Sequence, residues 1–138
     1  MPSIAALPDG ADECVVSPVS VELKLPYPPS VNHYWRRVGN RTLISRRGRV
    51  YRRDVQWVCI AQLKGSFGQA RLRIRISAHS KDRRTRDLDN LPKSVLDAMQ
   101  KANVYEDDSQ IDDLRITRGE IMPNDPHVVV RIDAIDGQ

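Results

Sequence analysis

The chain has 138 residues and a formal net charge of +4. This length suits one domain with a buried core and is too short for two domains of ordinary size. No apolar run approaches the length of a membrane span, and residues 1–18 lack a basic segment ahead of an apolar one, so we expect no membrane anchor and no signal peptide. The two cysteines lie in unlike contexts and support neither a disulfide framework nor a zinc site, which favours the cytoplasm.

The first 47 residues of the chain divide into three segments of different character. Residues 1–18 have no periodicity, and we expect a poorly ordered extension ahead of a domain at 19–138. Strict alternation predicts a strand at 21–25, and the prolines that follow end it. Residues 30–47 are expected to form a basic loop. Two dipeptides are typical of turns in that loop, Gly39-Asn40 and Arg47-Gly48.

The remainder of the chain alternates between helix and strand patterns. Apolar residues at helical spacing predict an amphipathic helix at 50–64, and alternation predicts a strand at 70–79. A second helix is expected at 89–102, with Pro92 in its first turn. Two final strands are expected at 114–121 and 128–135. We therefore predict an α/β protein of the α+β type, a single domain with a mixed β-sheet and two packed helices in the order β-α-β-α-β-β.

A block of positive charge occupies residues 31–53, where no acid occurs. Its arginines are Arg36, Arg37, Arg41, Arg46, Arg47, Arg49, Arg52 and Arg53. Guanidinium groups form paired hydrogen bonds with phosphates. The aromatic side chains in the same block, Tyr34, Trp35 and Tyr51, can stack on bases. The block therefore indicates a nucleic-acid partner, the alternative being a solvated basic face.

The acidic residues near the second helix indicate a metal site. Asp87 and Asp89 alternate, so both carboxylates can face one spot, and Lys93 stands one helical turn beyond Asp89. Asp107 and Asp108 follow a helix of about thirteen residues, which carries the chain roughly 20 Å away. For Asp108 to join the first pair, the chain must return, or the site must span two subunits.

Each of these residues also has a structural alternative. Asp87 or Asp89 alone could cap the helix, Lys93 could pair with Asp89 or Asp97, and residues 106–108 could be a solvated turn. Converging carboxylates about 4 Å apart repel by roughly 4 kcal/mol at an effective dielectric constant near 20, so their convergence requires a cation. Magnesium, which prefers carboxylate and water oxygens, meets that requirement.

At these residues the sequence resembles the RusA family of Holliday-junction resolvases. The resemblance covers nearly the whole chain after the extension and is carried by four segments: residues 25–34, residues 48–54, Arg83 to Lys93 with Asp97-Ala98, and Asp107 to Ile111. It implies a small homodimeric endonuclease that binds four-way DNA junctions and cuts two strands of like polarity symmetrically with magnesium, for which manganese can substitute. No small organic cofactor is implied.

The resemblance also assigns roles to residues. The family's essential acids match Asp87, Asp89 and Asp108 as metal ligands, with Asp107 as the other candidate of its pair, and the essential lysine matches Lys93. The expected chemistry is metal-assisted hydrolysis of a phosphodiester, in which Lys93 offsets developing negative charge. The candidate DNA-binding residues are Asn32, Tyr34, Arg36, Arg37, Arg84, Arg86 and Asn90.

Two other functions fit the same residues. One is a magnesium-dependent nuclease for other branched DNA or structured RNA. The other is a non-catalytic module that binds nucleic acid, which predicts no magnesium-dependent cleavage. Because a four-way junction offers two symmetric scissile sites, we expect a homodimer with twofold symmetry. Recombination, repair and viral DNA processing are all compatible settings.

Overall fold

The computed structural model describes residues 19–83, 88 and 90–135, and this part of the chain contains both strands and helices. The elements in chain order are β1 (Ser20–Pro26), α1 (Val31–Tyr34), β2 (Trp35–Val38), β3 (Arg41–Ile44), α2 (Arg46–Gln62), β4 (Leu72–His79), α3 (Leu91–Lys101), a 3-10 helix (Asp108–Gln110), β5 (Ile111–Arg118) and β6 (His127–Ala134). The predicted α+β class with a mixed sheet is confirmed. The expected extension at 1–18 lies outside the described residues.

The main sheet has the strand order β1-β6-β4-β5. β4 and β5 are parallel, as their helical crossover through α3 allows, while β6 is antiparallel to both β1 and β4. Strict alternation in β4 buries Leu72, Ile74 and Ile76 on one face, as predicted. The core contains this face together with buried residues of α2 and α3. None of the helices in the described ranges is long and apolar enough to cross a membrane.

The predicted turn at Arg47-Gly48 is wrong, because both residues belong to the first turn of α2. The helix begins four residues earlier than expected, since the Ser45 side chain accepts a hydrogen bond from the Gly48 backbone N–H and caps it. Glycine is required here for packing. A Cβ at position 48 would collide with the Tyr34 carbonyl oxygen and lie 2.8 Å from Ile44 Cγ1.

The basic segment that the sequence presented as a loop is structured. The short helix α1 opens it, and β2 and β3 then form an antiparallel hairpin in which Trp35 pairs with Ile44. The predicted turn at Gly39-Asn40 joins the two strands, and Gly39 has a φ of +61°, a conformation that glycine adopts at little cost. Of the eight arginines of the basic block, three therefore lie on this β-hairpin and five lie on α2.

Candidate active site

The helix α3 presents Lys93 on its solvent side. Leu91, Val95 and Met99 face the core, and Pro92 lies in the first turn as predicted. The helix begins two residues later than the sequence pattern indicated. No residue in the described ranges forms an ion pair or hydrogen bond with Lys93. Its ammonium group is therefore available to an external anion.

Asp97, one turn beyond Lys93, is engaged by two other elements. The Tyr34 hydroxyl donates a hydrogen bond to Asp97 Oδ2, and Arg52 Nε donates to the same oxygen at 2.8 Å. Arg52 Nε also lies 3.1 Å from the Tyr34 hydroxyl oxygen. We call Tyr34, Arg52 and Asp97 the bridge, because these three residues join α1, α2 and α3.

The bridge corrects two sequence-based expectations. Asp97 does not pair with Lys93, which was the alternative explanation for that lysine. Tyr34 was a candidate to stack on DNA, but its side chain is fully buried. Burial, together with the hydrogen bond to Asp97, raises the pKa of its hydroxyl. A ring without an exposed face cannot stack on a base, so the structure places Tyr34 in the interior.

The acids at 106–113 differ in how the fold uses them. Four have a partner, in the pairs Glu106 with Gln69, Asp107 with Ser109, Asp112 with Arg71 and Asp113 with Arg73. Asp107 caps the 3-10 helix by accepting the Ser109 backbone N–H at 3.0 Å, which lowers the pKa of its carboxyl group. Asp108 is exposed and has no hydrogen-bond or ion-pair partner among the described residues. It is the acid of this segment that remains available to a ligand.

The buried side chain of Gln110 anchors the turn formed by residues 106–110, which we call the 106–110 turn. This side chain donates to the carbonyl oxygens of Gly68 and Ala70, at 2.9 Å and 2.6 Å. The same side chain accepts hydrogen bonds from the backbone N–H groups of Glu106 and Asp107. A glutamine satisfies all four bonds because its amide has both donors and an acceptor. The turn is therefore fixed against the segment that precedes β4.

Asp108 returns to α3 within the same chain. The 3-10 helix contacts α3, and buried Tyr105, just before it, donates its hydroxyl to the Leu96 carbonyl oxygen at 2.8 Å. Burial raises the pKa of Tyr105, and the nearby negative charge of Asp108 raises it further. Leu96 lies three residues after Lys93, within one turn on α3. This is the chain return that the sequence required if the two acidic segments were to meet.

Four predicted site residues lie outside the described ranges, namely Arg84, Arg86, Asp87 and Asp89. Leu88 and Asn90 are described, and Asn90 immediately precedes α3. Within the described part of the chain, no three or more histidine, cysteine, aspartate or glutamate residues come together as a metal-binding group. The described part thus contains one exposed carboxylate without a described partner, Asp108, and one lysine of the predicted site.

A groove opens beside the start of α3, with a volume of about 910 Å³. We call it the basic groove. Its lining residues are Pro26, Tyr27, Pro28, Pro29, Ser30, Asn32, His33, Arg46, Arg47, Val50, Tyr51, Asp54, Ser80, Lys81, Asn90, Leu91 and Pro126. Asn32 and Asn90, both predicted to contact DNA, line this groove. Asn90 follows Asp89 directly in the sequence, so the described lining reaches to within one residue of the acidic motif along the chain.

Arg36 and Arg37 lie elsewhere, on the exposed strand β2. Neighbouring residues of a strand point to opposite faces, so the two guanidinium groups are presented on the two sides of the hairpin. Trp35, at the base of the same strand, makes an edge-to-face contact with Tyr34 at a ring-centroid distance of 5.0 Å. The hairpin is thereby attached to the bridge, and its arginines face solvent.

Three cations that line the groove were not among the predicted site residues, namely Arg46, Arg47 and Lys81. The two arginines belonged to the basic block, but the expected turn hid their position at the start of a helix. Alternation located the end of β4 at His79 correctly. Lys81, two residues further on, gave no signal, because its place in the groove depends on tertiary packing.

The comparisons with known proteins agree with one another. The sequence pattern described as endodeoxyribonuclease RusA matches residues 26–133. A crossover junction endodeoxyribonuclease rusA of Enterobacteria phage HK97 is 51% identical over 100 residues, covering 72% of this chain and 82% of that protein. The protein of the same name from Enterobacteria phage 82 is 43% identical over 100 residues, covering 70% and 80%.

A cellular relative shows the same extent of similarity. The crossover junction endodeoxyribonuclease RusA of Escherichia coli strain K12 is 42% identical over 97 residues, which cover 70% of this chain and 80% of that protein. Identity at this level over most of both chains, together with the match of the family pattern, establishes that the chain belongs to the endodeoxyribonuclease RusA family and is a hydrolase of the nuclease class.

Proposed function

We propose that the chain is a magnesium-dependent endonuclease that resolves four-way DNA junctions by symmetric paired nicks. Its relatives are named crossover junction endodeoxyribonucleases. The observation that carries the proposal is the position of Asp108. Its carboxylate is exposed and lacks a partner among the described residues, and the 3-10 helix that carries it contacts the helix that carries Lys93.

The donor chemistry of this region fits magnesium. A hard divalent cation prefers carboxylate oxygens whose lone pairs are not used elsewhere, and Asp108 offers such a group. Asp107 fits less well, since one of its oxygens caps the 3-10 helix. In the proposal Asp87, Asp89 and Asp108 hold the ion, which when bound supplies a polarised phosphate and a water of lowered pKa.

The protein's own residues position the substrate and balance its charge. Lys93 lies on the exposed side of α3, where its ammonium group offsets negative charge as the P–O bond breaks. The phosphates flanking the cleavage site are contacted by the arginines of the hairpin and by Arg84 and Arg86. Such contacts give affinity and register with little sequence information. Asn32 and Asn90 contact DNA from the basic groove.

The proposal includes the assembly and the limits of the enzyme. Two active sites related by a twofold axis match the two scissile phosphates of a junction, so we propose a homodimer. Residues 19–138 form the nuclease domain and residues 1–18 an extension, in keeping with the family match at 26–133. Recombination, repair and viral DNA processing all supply the substrate.

A panel of substrates of equal length tests the proposal. It comprises an immobile four-way junction, a flap, a linear duplex and a structured RNA, each with and without magnesium, read on a denaturing gel. We expect magnesium-dependent nicks at symmetric positions of the junction and none in the duplex. Preferential cutting of the flap or RNA would identify a different nuclease. Binding without cleavage at any magnesium or manganese concentration would identify a binding module.

A further inference from the structure

The basic groove has two unlike kinds of lining. The apolar part of the lining, which we call the apolar wall, consists of residues 26–29, Val50 and Pro126 together with the buried Tyr51. The basic part of the lining consists of Arg46, Arg47 and Lys81, all of which are exposed. Such a combination suits a ligand that has both a flat apolar face and a negative charge.

The charge of the groove narrows the ligand further. Among the described residues, its lining contains two arginines and one lysine but a single acid, Asp54. The volume of about 910 Å³ falls in the range of roughly 300–1,000 Å³ that organic ligands occupy in proteins. Both α2 and α3 begin at the groove, and helix amino termini favour negative charge.

We propose that the basic groove binds an unpaired nucleotide of the branched DNA. Its base lies against the apolar wall, and its phosphates contact Arg46, Arg47 and Lys81. Stacking of this kind requires a base that has left the duplex, because paired bases present no free face. The amide and hydroxyl groups of Asn32, Ser80 and Asn90 can bond to the edge of that base. The choice of DNA as ligand rests on the proposed function.

The position of the groove also determines where this nucleotide lies relative to the helix that carries Lys93. Asn90 lines the groove and adjoins Asp89 in sequence, and Leu91 begins the helix that carries Lys93. An occupant of the groove therefore lies beside a residue that directly follows the acidic motif in the sequence. A base drawn out of the junction centre into the groove would place the adjoining phosphate near the start of the helix that carries Lys93.

The first test measures binding of a short single-stranded oligodeoxynucleotide to the full chain by fluorescence anisotropy, without any junction. Val50 is 37% exposed, so Val50→Trp can fill the groove without disturbing the core. We expect it to weaken binding at least about fivefold, the lower end of the effect of losing one stacked base. Ile60→Trp is the matched control, since Ile60 is exposed on the same helix outside the groove.

A second pair of variants tests the groove independently, in case Val50→Trp does not fold. Lys81→Ala should weaken binding of the oligonucleotide, whereas Lys64→Ala, an exposed lysine outside the groove, should not. Thermal melts establish that all four variants are folded. Equal losses in the groove variants and their controls, or no loss in either groove variant, would overturn the proposal.

The second test uses a four-way junction with 2-aminopurine next to the crossover. Wild-type chain should raise the fluorescence on binding, because the base unstacks, and Val50→Trp should abolish the increase. If wild type cuts the junction but Val50→Trp leaves fluorescence and cutting unchanged, the groove proposal fails while the proposed function stands. If wild type neither binds nor cuts junctions, the proposed function fails, and the oligonucleotide binding still decides the groove.

Discussion

Two regions beside α3 each contain an aspartate, but they differ in whether the fold supplies partners for its carboxylate. In the bridge, Asp97 is surrounded by the donors of Tyr34 and Arg52, and the side chains of the ion pair are only 21% and 23% exposed. In the 106–110 turn, Asp108 is exposed and no described residue donates to it. The comparison teaches that a carboxylate paired with donors of the fold, such as Asp97, stabilises the folded state. A carboxylate without such a partner, such as Asp108, is available to bind a ligand.

The largest expected effect concerns the turn. Asp108→Asn keeps the size of the side chain and removes the charge that a hard cation requires. We expect cleavage of a four-way junction to fall at least about a hundredfold, measured under single-turnover conditions with saturating protein. Junction binding should be as tight as wild type or tighter, because a negative charge near phosphate is lost.

Asp107→Asn is the control, because asparagine retains the ability to cap the 3-10 helix. It should keep most of the cleavage activity. The opposite pattern, with Asp107→Asn inactive and Asp108→Asn active, would exchange the roles of the two residues.

The bridge should respond in stability. Asp97→Asn leaves the Arg52 guanidinium half-buried without its counter-charge, which should lower the free energy of unfolding by about 1–3 kcal/mol. Urea denaturation gives this value. If the bridge acts as a unit, Asp97→Asn combined with Arg52→Met should cost less than the sum of the two single variants. Strict additivity would show that the pair does not couple α2 to α3.

The hairpin provides cations to compare with Arg52. Arg36 and Arg37 are exposed and have no carboxylate partner in the described part of the chain. If they contact phosphates, replacing both with alanine should flatten the dependence of log affinity on log salt by about one to two units, since each lost contact releases about one fewer counterion. Junction affinities at several salt concentrations give the slope. An unchanged slope would leave the hairpin outside the DNA contact.

The smallest effect concerns Asp107. Hydrogen bonds from Ser109 lower the pKa of its carboxyl group in the folded state, so its contribution to stability is present above the unfolded-state pKa. That contribution is lost as the pH falls through the lowered, folded-state value. Asp107→Ala should therefore melt below wild type at pH 7, and the gap should begin to close below about pH 4. A gap that does not depend on pH would contradict a charged cap.

The periodic parts of the fold were predictable from the sequence. The alternation in β4 and the apolar spacing of α3 identified both elements, since each buries one face against the same core. The element boundaries were less accurate. α2 begins at Arg46 because Ser45 caps it, and a cap followed by Arg-Arg-Gly has the composition of a turn. The glycine that suggested a turn is instead required by the close approach of Tyr34.

The site could be predicted only in part for a related reason. Residue types and spacing identified the acids and Lys93, but they could not show which acid the fold neutralises. Asp97 and Asp108 are both acids near α3, and their difference depends on Arg52, a residue 45 positions away from Asp97. Tyr34 was misassigned for the same reason. An aromatic residue among arginines is typical of a nucleic-acid surface, and only tertiary packing shows that its ring is buried.

The position of β6 has a consequence for synthesis on the ribosome. This strand is the last element of the described chain, yet it lies inside the sheet, between β1 and β4. β1, the first strand, pairs with no strand of the main sheet other than β6 among the described elements. β1 therefore cannot pair with its neighbour β6 until almost the whole chain has been translated. Until then its edge, and that of β4, remain open to other chains, which makes nascent or carboxyl-terminally truncated forms the ones prone to aggregate.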